Sequence, residues 1–383
     1  MSAITYAAAE GDTAAPKMVK GNSLLLLYSI IPVLLFVVLF DYVIFDNQLR
    51  DLWLPTTPTD LLIWAVIFNF PHIVSSVVTL ADQEYLNFYG KKLVKGLLVI
   101  VGGVVLVNVA APMLLSPRQS DLMFQGFFIF YTVYTMYHVL SQQYGIGWMM
   151  MRAARDRIFQ SFRWLSVLSA SLMYIMIFGE RVLSEVSGFG YSGYGLALIA
   201  VSVLTALTVA AGLWLLSRSQ TKLGTMYLAS NVAMFVATYA FLVLDYPMFV
   251  IMVPRFVHDV TAFMIYSVHD DNRNRDEYRN SIYRFLKFLP IAPMFLCFPL
   301  AIVLANGVEC GVYMLDAALG FSAPFNSECF IREFYAPPAT NGLPYNMKIW
   351  MQVMFIVGLF HYYIESFVWR RDSIHRHSAG FQL

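Results

Sequence analysis

Three cysteines in 383 residues are too few for a disulfide framework or a thiolate metal cluster. Cys297 lies in an apolar run. Cys310 and Cys329 share a polar segment, where an oxidising outer side would permit a Cys310–Cys329 bridge. No Cys-x-x-Cys-His occurs, so haem attached through that motif is excluded. Charge is also scarce: 13% of residues are Asp, Glu, Lys or Arg, against about 25% in an ordinary soluble domain. A net charge of +1 offers nothing to draw a nucleic acid. The first 22 residues are polar and small and lack the charged, apolar, small order of a cleaved signal. There is no low-complexity tract, and no repeated half of the kind many transporters show.

What the chain has in abundance is apolar length. It is 59% hydrophobic with a mean hydropathy of +0.63. A spanning helix needs about 20 mostly apolar residues. Ten runs qualify, at roughly 23–45, 60–81, 95–116, 122–147, 164–186, 190–216, 223–244, 246–268, 285–305 and 348–369. The fold class expected is all-α: a polytopic membrane helical bundle of about ten transmembrane helices. A tail over 1–22 precedes one transmembrane domain over 23–369, with an outer cap loop at 306–347. A basic tail follows over 370–383. With the N-terminus inside, the inner segments hold 19 Lys and Arg and the outer ones 5, and Arg255 lies within the eighth run. This excess predicts cytoplasmic termini and a multi-pass place in a bacterial inner membrane.

Four of the seven histidines fall inside these runs. His72, His138, His258 and His361 lie on the second, fourth, eighth and tenth, all of which run from outside to inside. Counted from the outer end of each run, they lie 12, 16, 12 and 13 residues in. At about 1.5 Å per residue they share one depth. A polar side chain in hydrocarbon is costly unless something binds it, and four level imidazoles on four helices suit a metal site in a bundle core. Nitrogen ligands without thiolate fit iron, copper, zinc or nickel. Pro71, beside His72, is a candidate kink that turns the ring toward the common centre.

One turn on from each histidine lies the i+4 residue of the same face. These are Ser76, Gln142 and Glu365 after His72, His138 and His361, and Ala262 after His258. Glu365 needs a partner at that depth: a histidine N–H, the metal or Arg255. Asp259 points about 100° away from His258 and can pair with Arg255, as a structural ion pair or as part of the chemistry. Gln142, Gln143 and Tyr144 add amides and a hydroxyl near His138. His269 follows His258 by three turns, about 16 Å deeper, in a charged cluster. That cluster either closes the inner end or meets lipid headgroups, unless a bend returns His269 to the site. His375 and His377, in the basic tail, are expected to be solvated. Aromatics reach 16% and crowd the histidine helices (Phe127, Tyr131, Tyr134, Phe263, Tyr266, Phe360, Tyr362). Such walls suit membrane packing and also a long, flat apolar substrate.

The order of these motifs resembles the Brp/Blh-type intramembrane β-carotene dioxygenases. The matching patches are Pro71-His72, Tyr137-His138, Phe256-Val257-His258 and Phe360-His361, the last followed by Glu365, Phe367 and Arg370. Here His72 is followed by Ile73 rather than glycine, and the third patch spaces its histidines 11 apart rather than four. The resemblance implies a multispanning, iron-dependent enzyme of carotenoid or lipid metabolism that cleaves a polyene centrally.

These features together point to a non-haem iron (Fe2+) oxygenase. His72, His138, His258 and His361 are its ligands, and Glu365, Asp259 and Gln142 are catalytic candidates. His269, Arg255, Tyr144 and Ser76 are possible additions. The partners expected are dioxygen, a hydrophobic substrate from the bilayer and membrane lipids, with no nucleic acid and any electron donor unidentified. Two other classes stay open: a haem b (or copper) electron-transfer protein, and a proton-coupled transporter with Arg255, Asp259, Glu365 and His258 as its relay.

Overall fold

The computed structural model describes residues 16–55, 62–68, 70–153, 156–188, 190–319, 349–370 and 373–382. All ten apolar runs are helical among these residues. Strand β1 (Met18–Lys20) leads into α1 (Gly21–Leu26), which passes through a 3-10 turn into α2 (Ile30–Ile44); the short α3 (Gln48–Leu52) follows. The second run is broken into α4 (Leu62–Ile67) and α5 (Phe70–Thr79). Pro71 therefore opens a new helix rather than kinking a continuous one. It stands in the first turn, where the N–H it lacks has no helical partner in any case.

Next come α6 (Gln83–Val105), a π turn over Leu106–Ala110, α7 (Ala111–Leu114) and the 35-residue α8 (Pro117–Met151). α9 (Arg157–Phe178) stops at Gly179, so Glu180 and Glu185 fall in the separate short α10 (Glu180–Glu185). A small hairpin, β2 (Ser187–Gly188) with β3 (Tyr191–Ser192), precedes α11 (Gly193–Leu216), α12 (Lys222–Val243) and α13 (Pro247–Asn274). After α14 (Ser281–Phe285), α15 (Pro293–Ala318) begins eight residues later than expected, at a proline in its first turn, and runs on to Ala318. Residues 306–318 of the expected cap loop are thus helix. Cys310 is on α15, while the rest of that loop apart from Leu319, with Cys329 of the expected Cys310–Cys329 bridge, lies outside the described residues. α16 (Ile349–Val368), α17 (Ile374–Ser378) and β4 (Gly380–Gln382) complete the chain.

Seven of the described helices are long and apolar enough to cross a membrane: Gly21–Ile44, Gln83–Leu114, Arg157–Phe178, Gly193–Leu216, Lys222–Val243, Pro247–Asn274 and Pro293–Ala318. Their outward faces carry exposed Phe36, Val43, Leu98, Val99, Phe295 and Val303. Apolar surface on this scale would aggregate in water. The chain is a multi-pass membrane protein.

Packing joins two groups of helices. α8, α9, α11 and α12 surround the largest core, with Phe162, Tyr227, Phe235 and Phe241 inside it. α5, α6, α15 and α16 form the other group. α13 and α8 belong to the seam between them, and α5, α13, α8 and α16 pack in a closed ring, each against the next.

The expected solvated tail is instead folded back. β4 pairs in parallel with β1, Met18 beside Gly380, so the two ends of the described chain lie together. Asn272 anchors both: its Oδ1 accepts from Lys17 N at 2.8 Å, and its Nδ2 donates to Lys17 O at 2.8 Å and Ser378 O at 3.0 Å. Lys17 Nζ lies 3.0 Å from Asp271.

Candidate metal centre

The ring of four helices exists to be read in its side chains. His72 comes from the first turn of α5, His138 from the middle of α8, His258 from the middle of α13 and His361 from α16. All four are buried, at 2%, 7%, 1% and 0% exposure. One ligand nitrogen from each lies within 4.8 Å of the other three. The rings touch around a square, edge to face. Centroids are 5.1 Å apart for His72–His258, 4.9 Å for His258–His138, 4.8 Å for His138–His361 and 4.9 Å for His361–His72. This order repeats the order of the helices. Pro254 lies inside α13, one turn before His258, and its missing N–H removes a helix hydrogen bond there.

Each supporting contact crosses between helices. The carboxylate of Asp259, itself fully buried, lies 3.2 Å from His72 Nδ1 and 3.9 Å from Arg255 Nη2. A carboxylate on one ring nitrogen fixes the tautomer and presents the other nitrogen as a donor. Ser76 does the same for His361. Its hydroxyl donates to Ile73 O at 2.7 Å, so at 2.8 Å it accepts from His361 Nδ1–H. His361 Nε2 then carries a lone pair, and it lies 3.1 Å from His138 Nε2. Glu365 Oε2 is 3.6 Å from His138 Nε2, and its Oε1 accepts from the Tyr266 hydroxyl.

His258 has neither ring nitrogen hydrogen-bonded, although both are buried. An imidazole always has one N–H or lone pair to satisfy at each nitrogen, and leaving such a group bare in a dry interior costs about 1–3 kcal/mol. A metal ion at the centre would supply what the described protein groups withhold. With metal–nitrogen bonds of about 2.0–2.1 Å, four donors around one ion stand roughly 3 to 4.2 Å apart. The observed nitrogens, all within 4.8 Å of one another, span little more than the roughly 4.2 Å between opposite donors of a square arrangement. With both carboxylates ionised, Asp259, Glu365 and Arg255 leave one negative charge beside the site, which favours a cation. The residues present fit a nitrogen-ligated metal.

Not every candidate joins the centre. No hydrogen bond ties Gln142 to the histidines; it is half-buried one turn away, and its Oε1 has no partner. Gln143 accepts from Tyr28 at 3.1 Å and Tyr227 at 2.6 Å in another network. Tyr144 points into the largest core, its ring 4.8 Å from Phe162. α8 turns about 100° per residue, so Gln143 and Tyr144 leave the face that His138 presents to the ring.

His269 stays at the far end of α13, as the rise of a straight helix demands. Its Nδ1 lies 2.9 Å from Asp270, and its Nε2 is 3.0 Å from Tyr85 OH. Asp270 also accepts from Thr79 at 3.1 Å and Tyr283 at 2.7 Å. This end of the bundle is closed by a charge network, one of the two alternatives expected of it. His375, expected in solvent, is buried there. Its ring lies parallel to His269 at 4.7 Å and against Tyr85 at 3.9 Å. Burial, followed by His269 and Arg273, holds its imidazole well below the ordinary value of 6.5. Burial pushes the Asp82 carboxyl up, but Arg273 at 2.7 Å more than offsets this and holds it below 3.8.

Tyr266 was legible only as one aromatic among many. The available signal was its place eight residues after His258, on the same face of α13. Comparison with protein-family models, curated proteins and solved structures finds no match to this chain.

Proposed function

We propose that this protein is an integral-membrane, metal-dependent oxygenase that binds Fe2+ and acts on an apolar lipid or polyene substrate drawn from the bilayer. The observation that carries this reading is the closed ring of four buried imidazoles, in which His258 has two nitrogens that no protein group takes. In this reading all ten helical segments cross a bacterial inner membrane with both termini cytoplasmic. The excess of inner Lys and Arg supports that direction. The pairing of β1 with β4 agrees with a common side for both ends.

His72, His138, His258 and His361 hold the metal, which supplies dioxygen activation at its open positions. The chain's own residues do the rest. Asp259 orients His72 and is itself held by Arg255. Ser76 orients His361. Glu365 stands beside the centre where a proton can be taken or returned. Tyr362, 4.6 Å from His138, continues into an aromatic seam of Tyr131, Tyr134, Phe127 and Phe355. That seam suits a flat apolar chain. Closed helix packing keeps water away from the reacting end.

A bare ion is favoured over haem b because the four rings already touch one another edge to face and leave no flat slot for a macrocycle. Elemental analysis and a visible spectrum of detergent-purified protein test the reading. Stoichiometric iron without a strong Soret band is expected. A Soret band would replace it with haem-based electron transfer, and absence of metal together with pH-dependent flux in vesicles would replace it with a transporter.

A further inference from the structure

We propose that Tyr266 is a positioning residue of the centre. It holds the Glu365 carboxylate beside the four nitrogens but off the ion, and so keeps one coordination position open. The inference rests on the metal reading above and adds a residue to it.

Glu365 is the acidic side chain nearest His138 and His361 in the described centre. It is buried, one turn after His361, with Oε2 3.6 Å from His138 Nε2 and Oε1 3.9 Å from His361 Nδ1. Yet the group of ligand atoms that close to within 4.8 Å consists of the four histidines alone among the described residues. What holds the carboxylate back is on the opposite side. Tyr266 is 1% exposed, and its hydroxyl donates to Oε1. Trp369 backs Tyr266 with its ring 5.4 Å away. On α13, Ala262 lies between His258 and Tyr266 on the same face and contributes only a methyl group, fully buried. The Glu365 side chain from α16 can therefore reach the phenol on α13 past Ala262.

A hydrogen bond from the phenol to Oε1 fixes the position of the whole carboxylate, leaving Oε2 3.6 Å from His138 Nε2 and beside the ion rather than on it. Without it, the buried Glu365 carboxylate keeps only the Trp369 indole as a donor, and an anionic oxygen left so poorly satisfied is costly. The nearest remedy is the metal itself. Removing the phenol oxygen should turn Glu365 from neighbour into ligand.

The test uses full-length protein loaded with Co2+, whose d–d absorption weakens as its coordination number rises. In wild type, strong bands are expected, and Glu365→Gln should leave them unchanged. In Tyr266→Phe the bands should weaken, and Co2+ should bind about tenfold more tightly, the scale on which outer-shell partners act. The double variant Tyr266→Phe/Glu365→Gln should return to the Glu365→Gln spectrum. A wild-type spectrum in Tyr266→Phe, or the same weakening in the double variant, overturns the role of Tyr266 while leaving the metal centre standing. A spectrum that already changes in Glu365→Gln alone shows that Glu365 is a ligand from the start, and overturns it independently of how the tyrosine variant folds. Failure of wild type to take up Co2+ overturns both.

Discussion

Asp259 shows how one residue's role depends on a partner that its own helix does not contain. Along α13 it neighbours Arg255 at i−4, and only that pairing can be read from spacing. In the folded chain its carboxylate lies closer to His72 than to Arg255, 3.2 Å against 3.9 Å. A carboxylate so placed raises ligand basicity and fixes the ring, and its loss typically costs 10–100-fold in metal affinity. Asp259→Asn is expected to weaken metal binding by about that factor while the other three histidines still hold the ion. A competition titration against a chromophoric chelator measures it. The meeting of the four histidines was legible because depth along a helix is a property of sequence. Asp259 and Ser76 were candidates too, but their partners were not legible, because Asp259, Ser76 and Tyr266 each act on a histidine or glutamate of a different helix. Gln142 sits at the right spacing, yet no described hydrogen bond joins it to a histidine, since i+4 promises a shared face and not a shared partner.

At the scale of elements, boundaries followed local signals the residues carry, while docking did not. The start of α15 at Pro293 and the end of α9 at Gly179 reflect proline without an N–H and glycine as a helix stop. The burial of α17 has no such signal: Arg370, Arg371 and Arg376 read as a solvated tail, and only the folded chain brings His375 onto His269. This docking carries a pH dependence whose sign is fixed. The folded pKa of His375 is depressed, so below 6.5 the unfolded chain binds a proton that the folded chain refuses. Stability is then fully present above pH 6.5 and lost as pH falls below it, by up to about 1.4 kcal/mol per unit for one proton. His375→Phe should remove that slope between pH 7 and 5. Thermal unfolding in detergent over that range tests this, and an unchanged slope would contradict it. The joint between α8 and α12 is equally specific. A Cβ added to Gly224 would stand 2.5 Å from Met151 Cα, backbone that cannot rotate away. Gly224→Ala should cost about 1–3 kcal/mol by overpacking, measured as a lowered melting temperature with metal affinity preserved.

For the whole molecule, scarcity of charge and length of apolar run sufficed for a multi-pass helical bundle, because hydrocarbon leaves the backbone few other ways to satisfy itself. What composition could not convey is that four helices close in a ring around one point while the ends of the described chain pair at β1 and β4. Closure is a matter of long-range packing, and it is closure that turns four level histidines into a site. The most direct measurement is the metal content of purified wild-type protein beside that of His258→Ala. His258 is the ring member whose nitrogens the protein leaves without partners, so its removal should abolish stoichiometric iron while the helical content by circular dichroism is kept. Iron retained in the folded His258→Ala protein, or none in wild type, would contradict a four-histidine metal centre.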